Sequence, residues 1–214
     1  MILVTNFKTY PESSGDNAVK LAKIHEEVAG TGKEIIIAVQ PSDILGVSSL
    51  KIPVFAQHVD PVDPGRNTGF ITPESVKQAG AVGVMLNHSE HPMKPWDVEK
   101  AIRLCKKAGL KTLVFVSDLS EASDLKGYRP DYLAYEVPEL VGSGRPISKE
   151  KPEEIQDFVH ILEDTKIVPL CGAGISCAED VKIAKKLGTR GVVVASAITK
   201  AKDPKKVIED LVNI

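Results

Sequence analysis

The sequence predicts an α/β fold in which a single domain, residues 1–214, forms a (β/α)8 barrel with shortened outer helices. Three observations lead to this prediction. Short runs rich in β-branched residues alternate with longer segments of helical periodicity along the whole chain. Several runs are continuously apolar, which is typical of parallel strands buried on both faces. Eight strand-then-helix units can be counted, and no linker or change of composition divides them.

The strand candidates do not by themselves decide between two architectures. Strict alternation of strands and helices is compatible with a closed barrel and with an open, doubly wound sheet. The count of eight favours the barrel, and the placement of polar residues favours it more strongly. In chain order the predicted strands are Ile2–Thr5, Glu34–Val39, Val54–Ala56, Val82–Leu86, Thr112–Val116, Tyr132–Tyr135, Ile167–Leu170 and Gly191–Val194.

Four of the intervening segments have clear helical signals. The segment from Pro95 to Ala108 stops at Gly109, a residue suited to the left-handed position after a helix. The last helix begins with Asp203 as N-cap and Pro204 in the first position. The second and fifth helices are predicted to be short. The other two helices are predicted at residues 18–29, ending at Gly30, and at residues 152–163. Three of these helices have an apolar stripe along one face. The stripes are Val98, Ile102 and Cys105 in the segment from Pro95; Ile155, Phe158, Val159 and Leu162 in residues 152–163; and Val207, Ile208, Leu211 and Val212 in the last helix.

Composition and charge argue against several classes of function. A net charge of −2 and an aromatic content of 5% provide neither a basic surface for nucleic acid nor a stacking platform for single strands. The chain has no stretch of 18 apolar residues and no signal peptide, so we expect a cytoplasmic protein without a membrane span. The three cysteines have neither disulfide-framework nor zinc-site spacing, and we expect reduced thiols in or near the core at Cys105, Cys171 and Cys177.

Polar residues follow the predicted strands at the end where a (β/α)8 barrel carries its active site. Strand 1 is followed by Asn6 and Lys8, strand 4 by His88 and strand 6 by Glu136. Such a set combines groups that hold an anionic substrate with an electrophile and a general base. Taken singly, Lys8 is also compatible with a solvated surface lysine, His88 with a hydrogen-bonded core histidine, and Glu136 with an ion pair to a lysine.

Small residues follow strands 7 and 8, where barrels often bind phosphate. Gly172, Ala173 and Gly174 form either an ordinary tight turn or a site where backbone N–H groups approach a phosphate closely. Ala195 and Ser196 would serve the same purpose. By contrast, His25 and His160 lie inside predicted helices and are interpreted as structural.

The segment after strand 6 has the composition of a mobile lid. An apolar tip lies between a proline and a Gly-Ser-Gly run, so small residues can act as hinges while the tip closes over a substrate and excludes water. An ordinary connecting loop is the alternative interpretation. The predicted lid residues are Pro138, Glu139, Leu140, Val141, Gly142 and Ser143.

Three motifs together resemble the triosephosphate isomerase family. Their order, spacing and strand positions agree with that family along essentially the whole chain. Each motif alone is only moderately specific, but the combination is highly specific. The motifs are Asn6-Phe7-Lys8 after strand 1, His88-Ser89-Glu90 after strand 4, and Ala134-Tyr135-Glu136 leading into Gly142-Ser143-Gly144.

The resemblance implies a TIM barrel that interconverts dihydroxyacetone phosphate and D-glyceraldehyde 3-phosphate through an enediolate, without metal or cofactor. It implies that Glu136 is the base and that neutral His88 polarises the carbonyl, the pairing for which this family is the established example. Lys8 and Asn6 would bind substrate and stabilise the enediolate. The residues implied to bind the substrate or its phosphate are Asn6, Phe7, Lys8, Val141, Gly174, Ala195 and Ser196.

The short chain and the turns after strands 7 and 8 resemble the compact archaeal-type branch of the family. Val137 stands where many relatives carry proline at the first lid hinge, and Cys171 and Ala173 replace a Tyr and a Ser that bond the closed lid in many relatives. The resemblance implies a homo-oligomer, dimer or tetramer, in which the loop from His58 to Thr68 docks into a neighbour. No nucleic acid or membrane partner is expected.

Two alternatives stay open on the residues alone. Another phosphate-binding barrel, such as an epimerase or an enzyme of tryptophan or histidine synthesis, explains the turns after strands 7 and 8 equally well. It does not explain Asn6-Phe7-Lys8 combined with His88 and Glu136. A catalytically inactive scaffolding protein would bind phosphate without turnover, but every polar catalytic position is present.

Overall fold

Eight parallel strands close into a barrel in sequence order in the computed structural model, which describes all residues 1–214. Strand β1 closes the barrel because its residue Leu3 pairs with Ile35 on one side and Val192 on the other. The predicted (β/α)8 barrel is therefore confirmed. The strands are β1 Ile2–Asn6, β2 Ile35–Val39, β3 Val54–Ala56, β4 Gly83–Leu86, β5 Lys111–Val116, β6 Tyr132–Tyr135, β7 Val168–Cys171 and β8 Gly191–Val194.

The helices surround the barrel, and several are short, as predicted. The second and fifth have four and seven residues, and the third has only six. None of the helices combines the length and the apolar character needed to cross a membrane. The helices are α1 Asp16–Ala29, α2 Ile44–Val47, α3 Pro73–Gln78, α4 Pro95–Lys107, α5 Leu119–Leu125, α6 Ile147–Glu150, α7 Pro152–Ile161, α8 Ala178–Lys186, α9 Ser196–Thr199 and α10 Pro204–Val212.

The strands are apolar along their length because each one contributes to two cores. Alternate side chains point into the barrel or out towards the helices. The inner core contains 11 buried residues, among them Phe55, Met85 and Phe115. Gly83 leaves room for the Phe55 ring, since a Cβ at that position would lie 2.4 Å from it. The outer core contains 47 buried residues and packs the helices onto the strands.

Local signals at helix ends operate as expected. Asp203 caps α10 by accepting a hydrogen bond from the Lys206 N–H, and Pro204 occupies the first turn. Gly109 follows α4 with φ +69°, the left-handed conformation. All eight predicted strands are present, and no strand end differs from its prediction by more than one residue.

One expectation about an individual residue is wrong. Cys177 is exposed at the start of α8, whereas Cys105 and Cys171 are buried as expected. The two helical histidines lie away from the cavity. His160 is on the exposed face of α7 and pairs with Glu163, whereas His25 is fully buried and bonds the Leu21 carbonyl and the Thr5 hydroxyl.

Candidate active site

A cavity of about 210 Å³ opens at the carboxyl ends of the strands, where the predicted polar residues converge. A closed parallel barrel delivers the residues after all its strands to this one mouth. The predicted residues that line the cavity are Asn6, Lys8, His88, Glu136, Val141, Gly142, Gly174, Ala195 and Ser196. No group of three or more His, Cys, Asp or Glu side chains is placed to hold a metal ion.

Glu136 follows β6 directly, and its side chain is buried against polar groups. Its Oε1 accepts a hydrogen bond from the Ser89 hydroxyl at 3.1 Å and lies 3.2 Å from Nε2 of His88. Burial raises the pKa of Glu136 to about 7, because the charged form loses solvation; the Ser89 hydrogen bond and the charge of Lys8 oppose this shift. A carboxylate with a raised pKa is a stronger base than one in water.

The hydrogen bonds of His88 define which ring nitrogen carries a proton. Nδ1 accepts from the backbone N–H of Glu90 at 3.1 Å, so the neutral ring must carry its proton on Nε2, towards Glu136. Burial, and then the charge of Lys8, lower the pKa of His88 well below its usual range. The ring also packs edge-on against Phe115, with centroids 4.8 Å apart. The result is a neutral hydrogen-bond donor in a fixed orientation.

Lys8 supplies the positive charge at the mouth. Its backbone has φ +51°, uncommon for a residue with a side chain, and its N–H donates to the Asn6 side-chain oxygen at 2.9 Å. Its ammonium lies 2.6 Å from the Glu90 carboxylate. Gln57, directly after β3, donates to the Lys8 carbonyl and the Asn6 side-chain oxygen. Because that oxygen is engaged, the Asn6 amide NH2 is the group that Asn6 can offer to a ligand.

Phe7 does not belong to the cavity, contrary to the prediction that it binds substrate. Its side chain is fully buried in the outer core, where its ring lies 5.4 Å from that of His25. Its N–H donates to Ala38 and its carbonyl accepts from Ser13. Phe7 lies between Asn6 and Lys8 on the chain, and it anchors their loop to the barrel wall.

The turns after β7 and β8 present backbone N–H groups to the other side of the cavity. Gly174 and Ala195 lie outside helices and strands, and their N–H groups make no backbone hydrogen bond. Ser196 is the first residue of α9, where an N–H has no intrahelical acceptor. A Cβ on Gly174 would collide with the Arg145 carbonyl, so only glycine fits there. These features suit an anionic oxygen ligand.

The predicted lid lies beside the cavity and is anchored at its far end by the backbone. Gly142 and Gly144 both have positive φ, the freedom expected at a hinge. The Ile147 N–H, beyond the lid, donates to the Ala173 carbonyl, so backbone atoms tie this end to the β7 turn. The Val141 N–H is bonded to the Pro138 carbonyl and is not available to a ligand in this conformation, contrary to expectation.

Tyr10 and Gln57 also belong to the cavity or its support, although neither was predicted from the sequence. Tyr10 lines the cavity four residues beyond β1, and the Lys200 ammonium lies 4.1 Å from its ring centroid. Gln57 follows β3 directly, just as Glu136 follows β6, so its position in the sequence is the signal that indicates a place at the mouth of the barrel.

The comparisons with known proteins agree with one another. The profile of the family described as triosephosphate isomerase matches residues 1–213. The chain is 45% identical to the triosephosphate isomerase of Methanobacterium bryantii, over 99% of this chain and 96% of that one. It is 44% identical to that of Metallosphaera sedula, over 99% and 94%. The crystal structure of a triosephosphate isomerase from Bartonella henselae superposes with a TM-score of 0.73 at 22% identity and 97% coverage of both chains, which supports the fold.

NMR can test the protonation of Glu136 and His88 directly. We expect the Glu136 carboxyl, followed by its ¹³C shift, to lose its proton as the pH rises through about 7, since burial raises its pKa. The ¹⁵N shifts of His88 should report a neutral ring with the proton on Nε2 at pH 6. Loss of the carboxyl titration in Glu136→Gln assigns it. Titration of Glu136 near the usual value of about 4.3, or a charged His88 at pH 6, would contradict the description.

Proposed function

The chain belongs to the triosephosphate isomerase family, and from this premise we propose that Glu136 and His88 transfer the protons in its reaction. The protein interconverts dihydroxyacetone phosphate and D-glyceraldehyde 3-phosphate. Membership of this family excludes the alternative that the chain is another kind of phosphate-binding barrel enzyme. One observation carries the assignment of roles: a buried carboxylate lies 3.2 Å from the Nε2 atom of a neutral imidazole, in the cavity where the other polar residues meet.

Glu136 acts as the base. Its ionised carboxylate takes a proton from the carbon beside the substrate carbonyl, and the electron pair of the broken C–H bond forms the enediolate. The same carboxyl then returns a proton to the neighbouring carbon, which gives the isomeric triose. A pKa raised towards 7 suits this role, because the group is basic enough to accept the proton and acidic enough to release it.

His88 acts as the electrophile at the oxygens. Its Nε2–H donates a hydrogen bond to the carbonyl oxygen and stabilises the charge that develops there. The lowered pKa means that the ring is neutral before the reaction begins, so it polarises the carbonyl as imidazole. It then carries protons between the two oxygens as the carbonyl moves from one carbon to the next.

Lys8 and Asn6 hold the substrate and stabilise its negative charge. The Lys8 ammonium is nearly buried at the mouth, where a positive charge acts on an anion more strongly than it does in water. The Asn6 amide adds a donor on the same side. Gln57 fixes the positions of both residues by donating hydrogen bonds to the Asn6 side-chain oxygen and to the Lys8 carbonyl.

The substrate phosphate binds at the opposite side of the cavity, through the N–H groups of Gly174, Ala195 and Ser196. These residues have small or no side chains, so the backbone can approach a phosphate closely. The lid residues Pro138 to Ser143 close over this end. Because the Val141 N–H is engaged in the present conformation, lid closure has to break its bond to Pro138 before Val141 can contact the phosphate; the Gly142 N–H makes no backbone hydrogen bond and is already available. Exclusion of water protects the enediolate.

Shortening the base tests its assignment. In Glu136→Asp the carboxylate retreats from the substrate carbon by roughly 1 Å, a displacement that can lower kcat about 10²-fold. We expect KM to stay within a few-fold, because phosphate binding involves other residues. Steady-state kinetics with glyceraldehyde 3-phosphate measures both constants, and Glu163→Asp on the exposed face beyond α7 is the matched control. Wild-type turnover in Glu136→Asp would remove Glu136 as the base.

We propose that the chain is a homo-oligomer, a dimer or a tetramer. Short outer helices leave apolar side chains uncovered, and Phe70 is 53% exposed in the loop between β3 and α3, beside the segment from His58 to Thr68. Leu45 in α2 and Trp96 in α4 are also exposed. The loop after β3 starts at the same end of the barrel as the active site, so a partner there would cover its edge.

Light scattering at micromolar concentration measures the assembly. We expect a mass at least twice the 23.1 kDa of one chain. Phe70→Asp should lower that mass, because burying a charge in an apolar contact is unfavourable. Val82→Asp, at an exposed apolar residue just before β4 and so at the opposite end of the barrel, is the control and should not change it. A wild-type mass of one chain would refute the proposal.

We also propose that the protein works in the cytoplasm, in glycolysis and gluconeogenesis, the usual role of its family. Its three cysteines are free, which suits a reducing compartment. Burial raises the pKa of the Cys105 and Cys171 thiols to about 12, so both remain protonated and unreactive.

A further inference from the structure

The residue before His88 makes more tertiary hydrogen bonds than its place in a short turn requires. Asn87 directly follows β4 and has φ +59°, a left-handed conformation that is unfavourable for a residue with a side chain. Asparagine tolerates this region better than most residues. The turn at Asn87 redirects the chain at the end of the strand, and the direction of His88 depends on it.

The side-chain amide of Asn87 is bonded on all sides. Its NH2 group donates to the Phe115 carbonyl at 3.0 Å and to Glu121 Oε1 at 2.7 Å. Its oxygen accepts from the Met93 N–H at 2.8 Å. One side chain therefore ties the end of β4 to β5, to α5 and to the segment before α4.

Glu121 is fixed in turn by the start of its own helix. Its second oxygen accepts from the N–H and the hydroxyl of Ser117 at 2.7 and 3.0 Å. Its backbone N–H donates to the Asp118 side chain at 2.8 Å, the N-cap bond of α5. Glu121 therefore offers Asn87 an acceptor whose position is set by three hydrogen bonds.

We propose that Asn87 and Glu121 form a positioning pair that orients His88 for proton transfer. Phe115 is the link: its carbonyl is bonded to Asn87 while its ring packs against the His88 ring. The turn held by Asn87 also continues into Ser89, which bonds Glu136. Loss of the pair would let His88 and Ser89 shift relative to Glu136. The inference rests on the proposed role of His88.

The positioning pair acts on one side of the site only. Gly174, Ala195 and Ser196, the proposed phosphate contacts, follow β7 and β8, whereas the pair lies at β4 and β5. A defect in the pair should therefore reduce kcat and leave KM and inhibition by inorganic phosphate almost unchanged. A general loosening of the barrel mouth would change all three.

The test compares Asn87→Gly, Glu121→Ala and Glu121→Gln with the wild type. Glycine keeps the positive φ and removes the hydrogen bonds, so Asn87→Gly should fold and melt within a few degrees of the wild type. We expect kcat to fall on the order of tenfold in Asn87→Gly and Glu121→Ala, since a displacement of about 1 Å can cost about 10²-fold. Glu121→Gln keeps one acceptor oxygen and should recover part of the loss.

The double variant Asn87→Gly/Glu121→Ala should lose no more kcat than Asn87→Gly alone, because Asn87→Gly already removes the hydrogen bond through which Glu121 acts on the turn. Asn213→Gly and Glu163→Ala, both exposed and distant, are controls for substitution itself. If Asn87→Gly fails to fold, the Glu121 variants carry the comparison.

Values of kcat within twofold of the wild type in Asn87→Gly and Glu121→Ala would overturn the inference. Equal changes in kcat, KM and the inorganic phosphate inhibition constant would overturn it too. His88→Gln separates the two levels: if it is as active as the wild type, the proposed role of His88 fails and the positioning pair with it. If it is inactive while Asn87→Gly is normal, only the positioning pair is wrong.

Discussion

The burial of a carboxylate beside a neutral imidazole is the constraint on which the rest of this site depends. Glu136 and His88 lie 3.2 Å apart, and each is shifted towards its uncharged form by loss of solvent. Burying either side chain would be unfavourable without hydrogen-bond partners, since a buried polar group must be hydrogen-bonded. The Ser89 hydroxyl and the Glu90 N–H provide those bonds. The proposed chemistry rests on this pair, because burial makes Glu136 a stronger base and keeps His88 a neutral hydrogen-bond donor.

The barrel buries these groups, and the turns at its mouth contain strained backbone conformations. Three of the four residues with side chains and positive φ lie in turns at the carboxyl ends of strands: Lys8, Asn87 and Ala173. Such conformations cost of order 1–3 kcal/mol each and persist where surrounding bonds determine them. Here those bonds are visible at Asn87, at Lys8 and at the Ala173 carbonyl. The strained turns aim side chains into the cavity, and the two cores of the barrel supply the stability that tolerates them.

The strands, the closed barrel and four polar residues of the cavity could be predicted because they depend on local patterns. Apolar runs identify strands, and residues directly after strands reach the mouth. The prediction for Phe7 is wrong because a sequence motif does not show which of its side chains face the cavity: Phe7 packs in the outer core, away from the cavity that Asn6 and Lys8 line. The bond from Gln57 to Asn6 and that from Asn87 to Glu121 join residues 51 and 34 positions apart, and nothing local in the sequence announces them. The hydrogen bond from the Val141 N–H to the Pro138 carbonyl could not be predicted from the sequence either, because it depends on the conformation of the lid.

The central claim is that Glu136 moves the carbon-bound proton, and deuterium exchange in D2O measures that step itself. Purified wild-type protein incubated with dihydroxyacetone phosphate should form glyceraldehyde 3-phosphate and incorporate deuterium at carbon, followed by ¹H NMR. Glu136→Gln keeps the shape of the side chain but cannot accept the proton. The variant should still bind substrate, and inorganic phosphate should still compete for that binding. It should show neither deuterium exchange nor isomerisation. Exchange in Glu136→Gln at a rate near that of the wild type would place the base elsewhere, and a folded wild type without exchange would contradict the whole account.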